Sequence, residues 1–379
     1  MKKIITGIKS TGSSLHLGNL MGAVLPLQNV SRGNDTSLFI ADLHSLTSVK
    51  DGDTLRHQTF EIAVEYFAIL GLDTDIRIFR QSDIRDITKL MWILTNVTPY
   101  SLMLRAHSSK DNINKSVENI GNRILGLRKQ IAQNEYFDGN NDLYGFIDKL
   151  VEEIKLNILP QAFDNAMTLE SLNMGTFNYP ILMAADILGY DIEAVPVGKD
   201  QVQHLEMARD IARAFNKTYG VDIFPEPVAI VTEELATLPG IDGRKMSKSY
   251  DNFIGVFDDE KLLKKRINSI VTGSEGVDDV KMNPDDCNVF NLYKVFASKE
   301  QTAELRVKYQ SKGIGFGYGH AKAALFEVLN TYLRPYREAR EKLLQNPEIV
   351  EAKLAEGAKV MNARLDAKME VVKRVVGVN

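Results

Sequence analysis

The sequence predicts an α/β protein built on a doubly wound parallel sheet, followed by a helical region. Three observations carry this. Over the first two-thirds of the chain, short apolar runs alternate with helix-length amphipathic stretches, the rhythm of right-handed βαβ crossovers. The first run, Ile4-Ile5, stops at Gly7 and opens into a turn rich in glycine and serine,. From about Asp258 onward the pattern is almost wholly helical, rich in Ala, Glu, Lys and Leu near its end and broken at Asn346-Pro347,.

Each element follows in order. Ile4-Ile5 supplies the first strand, and a helix is expected from about Leu17 to Asn29. Ser37–Ala41 reads as a second buried strand, Leu55–Leu70 as a long helix and Ile76–Phe79 as a third strand,. Ile192–Gly198 adds a fourth strand ending in a turn. Helical patterns at Ile120–Gln133 and Leu143–Ile158 flank the polar turn Asp138–Asp142, which marks a helical insertion at about 112–170. The expected organisation is therefore a Rossmann-like domain over 1–257 that carries the insertion, then a helical domain over 258–379. Gly313–Gly319 reads as a loop beside a helix start.

Composition narrows the class. At 379 residues with 44% hydrophobic content the chain can bury a sizeable core,. No apolar run approaches the length of a membrane span, and the N-terminus has no long apolar stretch or cleavage signal, so no membrane partner is expected. A single cysteine, Cys287, excludes an internal disulfide and any metal site built on several thiolates,. A cytoplasmic location follows as the expectation. The net charge of −4 gives no global nucleic-acid footprint, so any RNA contact must come from local patches. Lys261, Lys264, Lys265 and Arg266, with Lys373 and Arg374, are the candidates, and each reads equally as a solvated helix face.

After the first strand comes Gly7-Ile8-Lys9-Ser10-Thr11-Gly12-Ser13-Ser14-Leu15-His16-Leu17-Gly18-Asn19. A turn that delivers a strand into a helix aims free N–H groups at an anion. It is not a Walker A loop, since Ser13 stands where the lysine is needed,. His16-Leu17-Gly18-Asn19 resembles the HIGH signature of class I aminoacyl-tRNA synthetases. Taken alone, His16 and Asn19 read equally well as capping residues. The second signature is Lys245-Met246-Ser247-Lys248-Ser249, preceded by Gly243-Arg244, which matches the class I KMSKS loop at every position. Two ammonium groups three residues apart on a loop can close over a triphosphate and neutralise charge on the α-phosphate and the leaving pyrophosphate. A solvated basic turn is the usual meaning of such clusters, but not at five matched positions downstream of a matching tetrad. The resemblance implies ATP contacts from Thr11, Gly12, His16, Gly18, Asn19 and Lys245–Ser249, with His16, Asn19, Lys245 and Lys248 catalytic.

Between the signatures, Tyr179, Met183 and Asp186 stand at i, i+4 and i+7, which puts them on one helix face,. A buried carboxylate among Met, Ile, Leu and Ala needs a donor, and an indole N–H is a donor-only group. Met183 suits a flat aromatic ring. The same face also fits an ordinary core helix with Asp186 paired internally. The run Met183–Leu188, with Pro196-Val197-Gly198-Lys199-Asp200-Gln201-Val202-Gln203-His204-Leu205-Glu206, resembles the bacterial tryptophanyl-tRNA synthetase family. Asp42–Thr47, Gln81-Ser82, Thr272–Gly276 and Gly317–His320 match it further, so the likeness covers nearly all of the chain except the insertion.

That resemblance implies ligation of L-tryptophan to tRNA(Trp) by way of an adenylate, with ATP as substrate and Mg²⁺ arriving with it, no protein-held metal, and a homodimer. It assigns Tyr179 and Gln201 to the substrate's ammonium and carboxylate, Asp186 to the indole N–H, Asp200 to the ATP ribose, and Ile5, Met183 and Ile187 to the pocket lining. In the sister tyrosyl family a glutamine typically stands where Met183 does, which favours indole over phenol. Two positions depart from the family pattern: Ile5 replaces a phenylalanine and Lys9 a glutamine. A nucleotidyltransferase with a HIGH-like tetrad and a synthetase-like paralogue that charges no tRNA are the alternatives from other classes.

Overall fold

The computed structural model describes residues 1–10, 14–104, 173–198, 202–231 and 238–378. The insertion expected at about 112–170 lies outside the described residues, as do Thr11, Gly12, Asp200 and Gln201. Five strands form one sheet: β1 (Lys3–Ile8), β2 (Asp35–Ile40), β3 (Arg77–Arg80), β4 (Ala194–Val197) and β5 (Val228–Val231), in the order β3-β2-β1-β4-β5. Every pairing is parallel. Four strands fall where the apolar runs place them. The fifth was not expected, because Val228-Ala229-Ile230-Val231 is a four-residue run just after Pro225 and Pro227 and reads as loop. The order reverses between β1 and β4, and in open parallel sheets that switch point, at the carboxyl ends of the strands, is where ligands sit. Strand β1 ends there at Ile8 and β4 at Val197.

The chain divides into two compact units. The first joins Met1–Asp86, Tyr190–Val202 and Pro227–Val371; the second joins Ile87–Gly189, Gln203–Glu226 and Val372–Asn379. The first holds the whole sheet. The expected helix after β1 runs as α1 (Leu17–Asn19), a π-helical turn (Leu20–Val24) and α2 (Leu25–Ser31). Pro26 has no N–H to bond the Gly22 carbonyl, and the ladder widens at that turn. After β2 come α3 (Asp42–Ser45) and α4 (Gly52–Leu70). Asp51 caps α4 by accepting from the Thr54 N–H at 2.7 Å, which starts the helix one turn before its apolar pattern does,.

Helices α5 (Ile87–Thr95), α6 (Tyr100–Leu104) and α7 (Met174–Leu188) belong to the second unit, with most of α8 (Val202–Tyr219). The C-terminal region forms α9 (Glu260–Asn268), α10 (Asn288–Phe296), α11 (Lys299–Gln310), α12 (Tyr318–Leu344) and α13 (Pro347–Val376). Pro347 opens α13, as the Asn346-Pro347 break predicts, and Gly317 is the N-cap of α12. One apolar core runs from Leu17, Leu38, Val64 and Phe67 under the sheet to Leu263, Phe290, Leu325 and Leu354 of these helices. Among the described residues no helix is long and apolar enough to cross a membrane.

Helix α13 lies against β3 and β2. Glu351 pairs with Arg80 at 2.6 Å and Arg364 with Asp35 at 2.9 Å, and Asn362 donates to the Asp83 carbonyl at 2.8 Å. Close approach is possible because position 357 is glycine: a Cβ there would stand 2.2 Å from the Ile78 carbonyl oxygen. In an isolated helix, alanine is favoured over glycine by about 1 kcal/mol. Gly357→Ala should nonetheless lower the thermal midpoint by several degrees, because overpacking against backbone costs about 1–3 kcal/mol. A raised midpoint in a thermal unfolding scan would contradict this docking.

Candidate active site

The turn after β1 builds a compact polar knot. His16 is the N-cap of α1: its Nδ1 accepts from the Asn19 N–H at 3.2 Å, and Asn19 Oδ1 accepts from the His16 N–H at 3.2 Å. This is a capping box made from histidine and asparagine,. Gly18 is required beneath it, since a Cβ there would meet His16 Cε1 at 2.9 Å. With Nδ1 accepting, the ring proton is assigned to Nε2, which leaves His16 a neutral donor. Burial, and after it the positive charge of Lys248, depress its pKa from 6.5 to about 4. The arrangement seen at His16 and Asn19 is thus the capping one.

The second signature is held beside the first by backbone. Leu17 donates to the Ile254 carbonyl at 2.9 Å and Val256 to the Leu15 carbonyl at 2.8 Å, an antiparallel join centred on His16 and Gly255. Phe253 places its ring 5.8 Å from the His16 ring. Just upstream, Met246 donates to the Leu238 carbonyl and Gly240 to the Arg244 carbonyl, so Lys245 rides on a short hairpin whose turn needs the positive φ of Gly243,. Met246 is buried and anchors the loop, Lys245 is exposed and Lys248 half-buried. Burial pushes the Lys248 pKa down, against the pull of the Glu65 carboxylate. Of Ser249 only the backbone is described, in a 3₁₀ turn over Lys248–Tyr250.

Residues that motif reading passed over do much of the positioning. Asn252 is buried, and its Oδ1 accepts from the Ser247 N–H at 2.8 Å. Its Nδ2 donates to Asp242 at 2.7 Å and to the Lys245 carbonyl at 3.1 Å. Asn252 thus clasps the first half of the lysine–serine loop. At the carboxyl ends of β2 and β3, Asp42 accepts from the Ser82 N–H at 3.0 Å and from its hydroxyl, and buried Gln81 accepts from the His44 N–H. Ser10, just past β1, bonds Ser45 through its N–H at 3.0 Å and its hydroxyl at 3.1 Å. A polar belt therefore ties the ends of three adjacent strands. The sequence signal for it was the family likeness at Asp42–Thr47 and Gln81-Ser82, which carried no roles. Arg266, read as part of a basic patch, turns inward: it donates to the Phe253 carbonyl at 2.9 Å and lies 4.3 Å from that ring's centre.

The amino-acid residues fall in different places. Ile5 is fully buried in β1, in register with Ser37, and Lys9 is exposed beyond its end. Tyr179, Met183, Asp186 and Ile187 all lie on α7 in the second unit, started by an Asn173 cap that accepts from Thr176 at 2.9 Å. Tyr179 and Met183 are half-buried, while Asp186 and Ile187 are each 2% exposed. The Tyr179 hydroxyl meets Nε2 of buried His204, on α8, at 2.7 Å. His204 sits in the family-like run, and its role as the tyrosine's partner could not be read from spacing. Among the described residues no group of His, Cys, Asp and Glu is arranged to hold a metal ion.

A 3-2-1-4-5 parallel sheet with a capped histidine turn and a lysine loop at its switch point defines a doubly wound nucleotide-binding enzyme. The chain belongs to the family described as tRNA synthetases class I (W and Y), whose model matches residues 1–127 and 128–334. It is 37% identical to a tryptophan–tRNA ligase of Fusobacterium nucleatum over 378 residues, which covers 100% of this chain and 98% of that one. It is 36% identical to a tryptophan–tRNA ligase of Campylobacter jejuni, with 99% of each chain covered. A crystal structure of tryptophanyl-tRNA synthetase from Campylobacter jejuni, complexed with ADP and tryptophan, superposes with a TM-score of 0.80 at 34% identity, covering 99% of this chain and 100% of that one.

The depressed His16 pKa has a measurable sign. Between pH 6.5 and about 4 the unfolded chain binds a proton at this position and the folded chain does not. Stability therefore rises with pH across that window, by at most about 1.4 kcal/mol per pH unit. Urea unfolding at pH 7 and pH 5 should show wild type losing more stability on acidification than His16→Asn. Equal losses, or an imidazole NMR titration near 6.5, would refute the buried neutral ring.

Proposed function

We propose that this chain activates tryptophan with ATP and transfers it to its tRNA. The observation that carries the choice of amino acid is the α7 face, where a deeply buried carboxylate, Asp186, shares a stripe with Tyr179 and Met183. Full-length similarity to tryptophan–tRNA ligases supports the same reading.

In the first step the tryptophan carboxylate attacks the α-phosphorus of ATP, a mixed anhydride forms and pyrophosphate leaves. The carboxylate is already a nucleophile, so no protein base is needed, and catalysis is alignment and charge stabilisation. Neutral His16 offers an Nε2–H to a phosphate oxygen, and Asn19 stands one turn along beside it. Lys245 and Lys248 neutralise the charge that builds on the α-phosphate and the leaving group. Met246, Ser247 and Ser249 complete the loop over the nucleotide, Thr11, Gly12 and Gly18 line its approach, and Asp200 takes the ribose. Mg²⁺ accompanies ATP and supplies further charge neutralisation there.

Tyr179 and Gln201 hold the substrate's ammonium and carboxylate, Asp186 accepts the indole N–H, and Ile5, Met183 and Ile187 wall the ring. In the second step a hydroxyl of the terminal ribose of tRNA(Trp), the 2′ oxygen by class resemblance, attacks the adenylate carbonyl and AMP leaves. By the same family resemblance, residues 258–379 are the proposed anticodon-binding domain, with Lys261, Lys264 and Lys265 as basic residues at its start. The same family reading makes the enzyme a cytoplasmic homodimer.

Pyrophosphate exchange with each of the twenty amino acids, followed by charging of total tRNA, tests this. Exchange that depends on tryptophan, with charging, is expected. Exchange that depends on tyrosine alone would move the assignment to the sister family, and exchange without charging to a paralogue. Asp186→Ala should cut kcat/KM for tryptophan by about a hundredfold with little change in KM for ATP, because the indole N–H loses its acceptor. An unaltered tryptophan kcat/KM would remove Asp186 from the pocket.

A further inference from the structure

Glu65, in α4, is 2% exposed, and nothing in the reaction above uses it. We propose that Glu65 is a positioning residue of the ATP site: its carboxylate holds the start of the His16 turn, and Arg340 of α12 steadies it. The inference rests on the ATP reading above and adds a residue to it.

The geometry is local and convergent. Glu65 Oε2 accepts from the Leu15 N–H at 2.8 Å, one residue before His16. Leu15 is itself the residue whose carbonyl accepts from Val256 in the join between the two signatures. Arg340 reaches the same place from α12. It bonds Glu61, one turn before Glu65, places its Nε 4.0 Å from Glu65 Oε1, and lies 5.6 Å from the ring centre of Phe257. Phe257 directly follows Val256. One helical turn earlier on α12, Arg337 donates to the Asp258 carbonyl at 3.1 Å. The carboxylate and the guanidinium therefore hold both sides of the backbone join on which His16 is mounted.

Charge is needed as well as shape. A carboxylate taken out of water is costly unless cations and donors face it. Burial pushes the pKa of Glu65 up, and the Glu61 carboxylate adds to that, while the Ser14 hydroxyl, the Leu15 hydrogen bond and the charge of Arg340 pull it back. The same carboxylate supports the protonated state of Lys248 against burial. A neutral amide in its place keeps an oxygen for the Leu15 N–H but surrenders the attraction to both cations.

Glu65→Gln in the full chain is the test, read by pyrophosphate exchange with tryptophan. The expected result is a KM for ATP raised about tenfold while the KM for tryptophan stays within about twofold. A KM for ATP within about twofold of wild type overturns the proposal, as does an equal rise in both constants, which a merely structural role would give. Arg340→Met keeps an apolar stem against Phe257 and removes the charge. It should raise the KM for ATP in the same direction and by less. If Glu65→Gln fails to fold, Arg340→Met decides alone, and an unchanged KM for ATP then overturns the proposal. Wild-type enzyme that shows no tryptophan-dependent exchange would remove the parent reading and this one together, an outcome visible before any variant is made.

Discussion

Two backbone hydrogen bonds, Leu17 to Ile254 and Val256 to Leu15, are the constraint on which the nucleotide half of the site depends. They join segments far apart in the chain, one leaving the first strand and the other following the lysine loop. Without that join the capped histidine and the lysine loop are separate surface turns. With it, His16 lies within the field of Lys248, and Phe253 fills the space beside its ring. The site is thus mounted on regular backbone pairing, and its side chains are presented from that frame. Such preorganisation lets electrostatic stabilisation act without reorganisation cost at the moment of reaction.

Burial shapes the chemistry of this frame in one direction. His16 is held neutral, and burial makes the charge of Lys248 less favourable. The Glu65 carboxylate opposes that effect on Lys248. In the proposed reaction, binding energy and transition-state stabilisation draw on the same cations.

Much of this was legible in residue patterns. Strand and helix periods located β1 to β4, the α4 helix and the break at Pro347, because each pattern is local and long enough to repeat. The five-position lysine–serine match located the loop. What escaped was long-range partnership. Val228–Val231 is a strand only because β4 lies beside it. Asn252 looks like any loop asparagine until the hairpin folds around its amide, and Glu65 reads as one more polar position on an amphipathic helix. Arg266 shows the converse: a run of basic residues suggested solvent, and the fold turned one member inward onto Phe253. Spacing fixes which face a side chain occupies and is silent on which group will meet it.

The docking of α13 has a further consequence in time. Ser37 of β2 donates to the Met361 sulfur, Asp35 pairs with Arg364, and the β3 backbone approaches the Gly357 position, contacts that span most of the chain. A ribosome delivers residues from the N-terminus onward. Strands β2 and β3 therefore emerge long before the helix that covers them, and wait partly uncovered until residues 347–376 have been made. A premature stop between residues 250 and 346 therefore leaves a chain that carries both signatures while β2 and β3 lack the helix that lies against them.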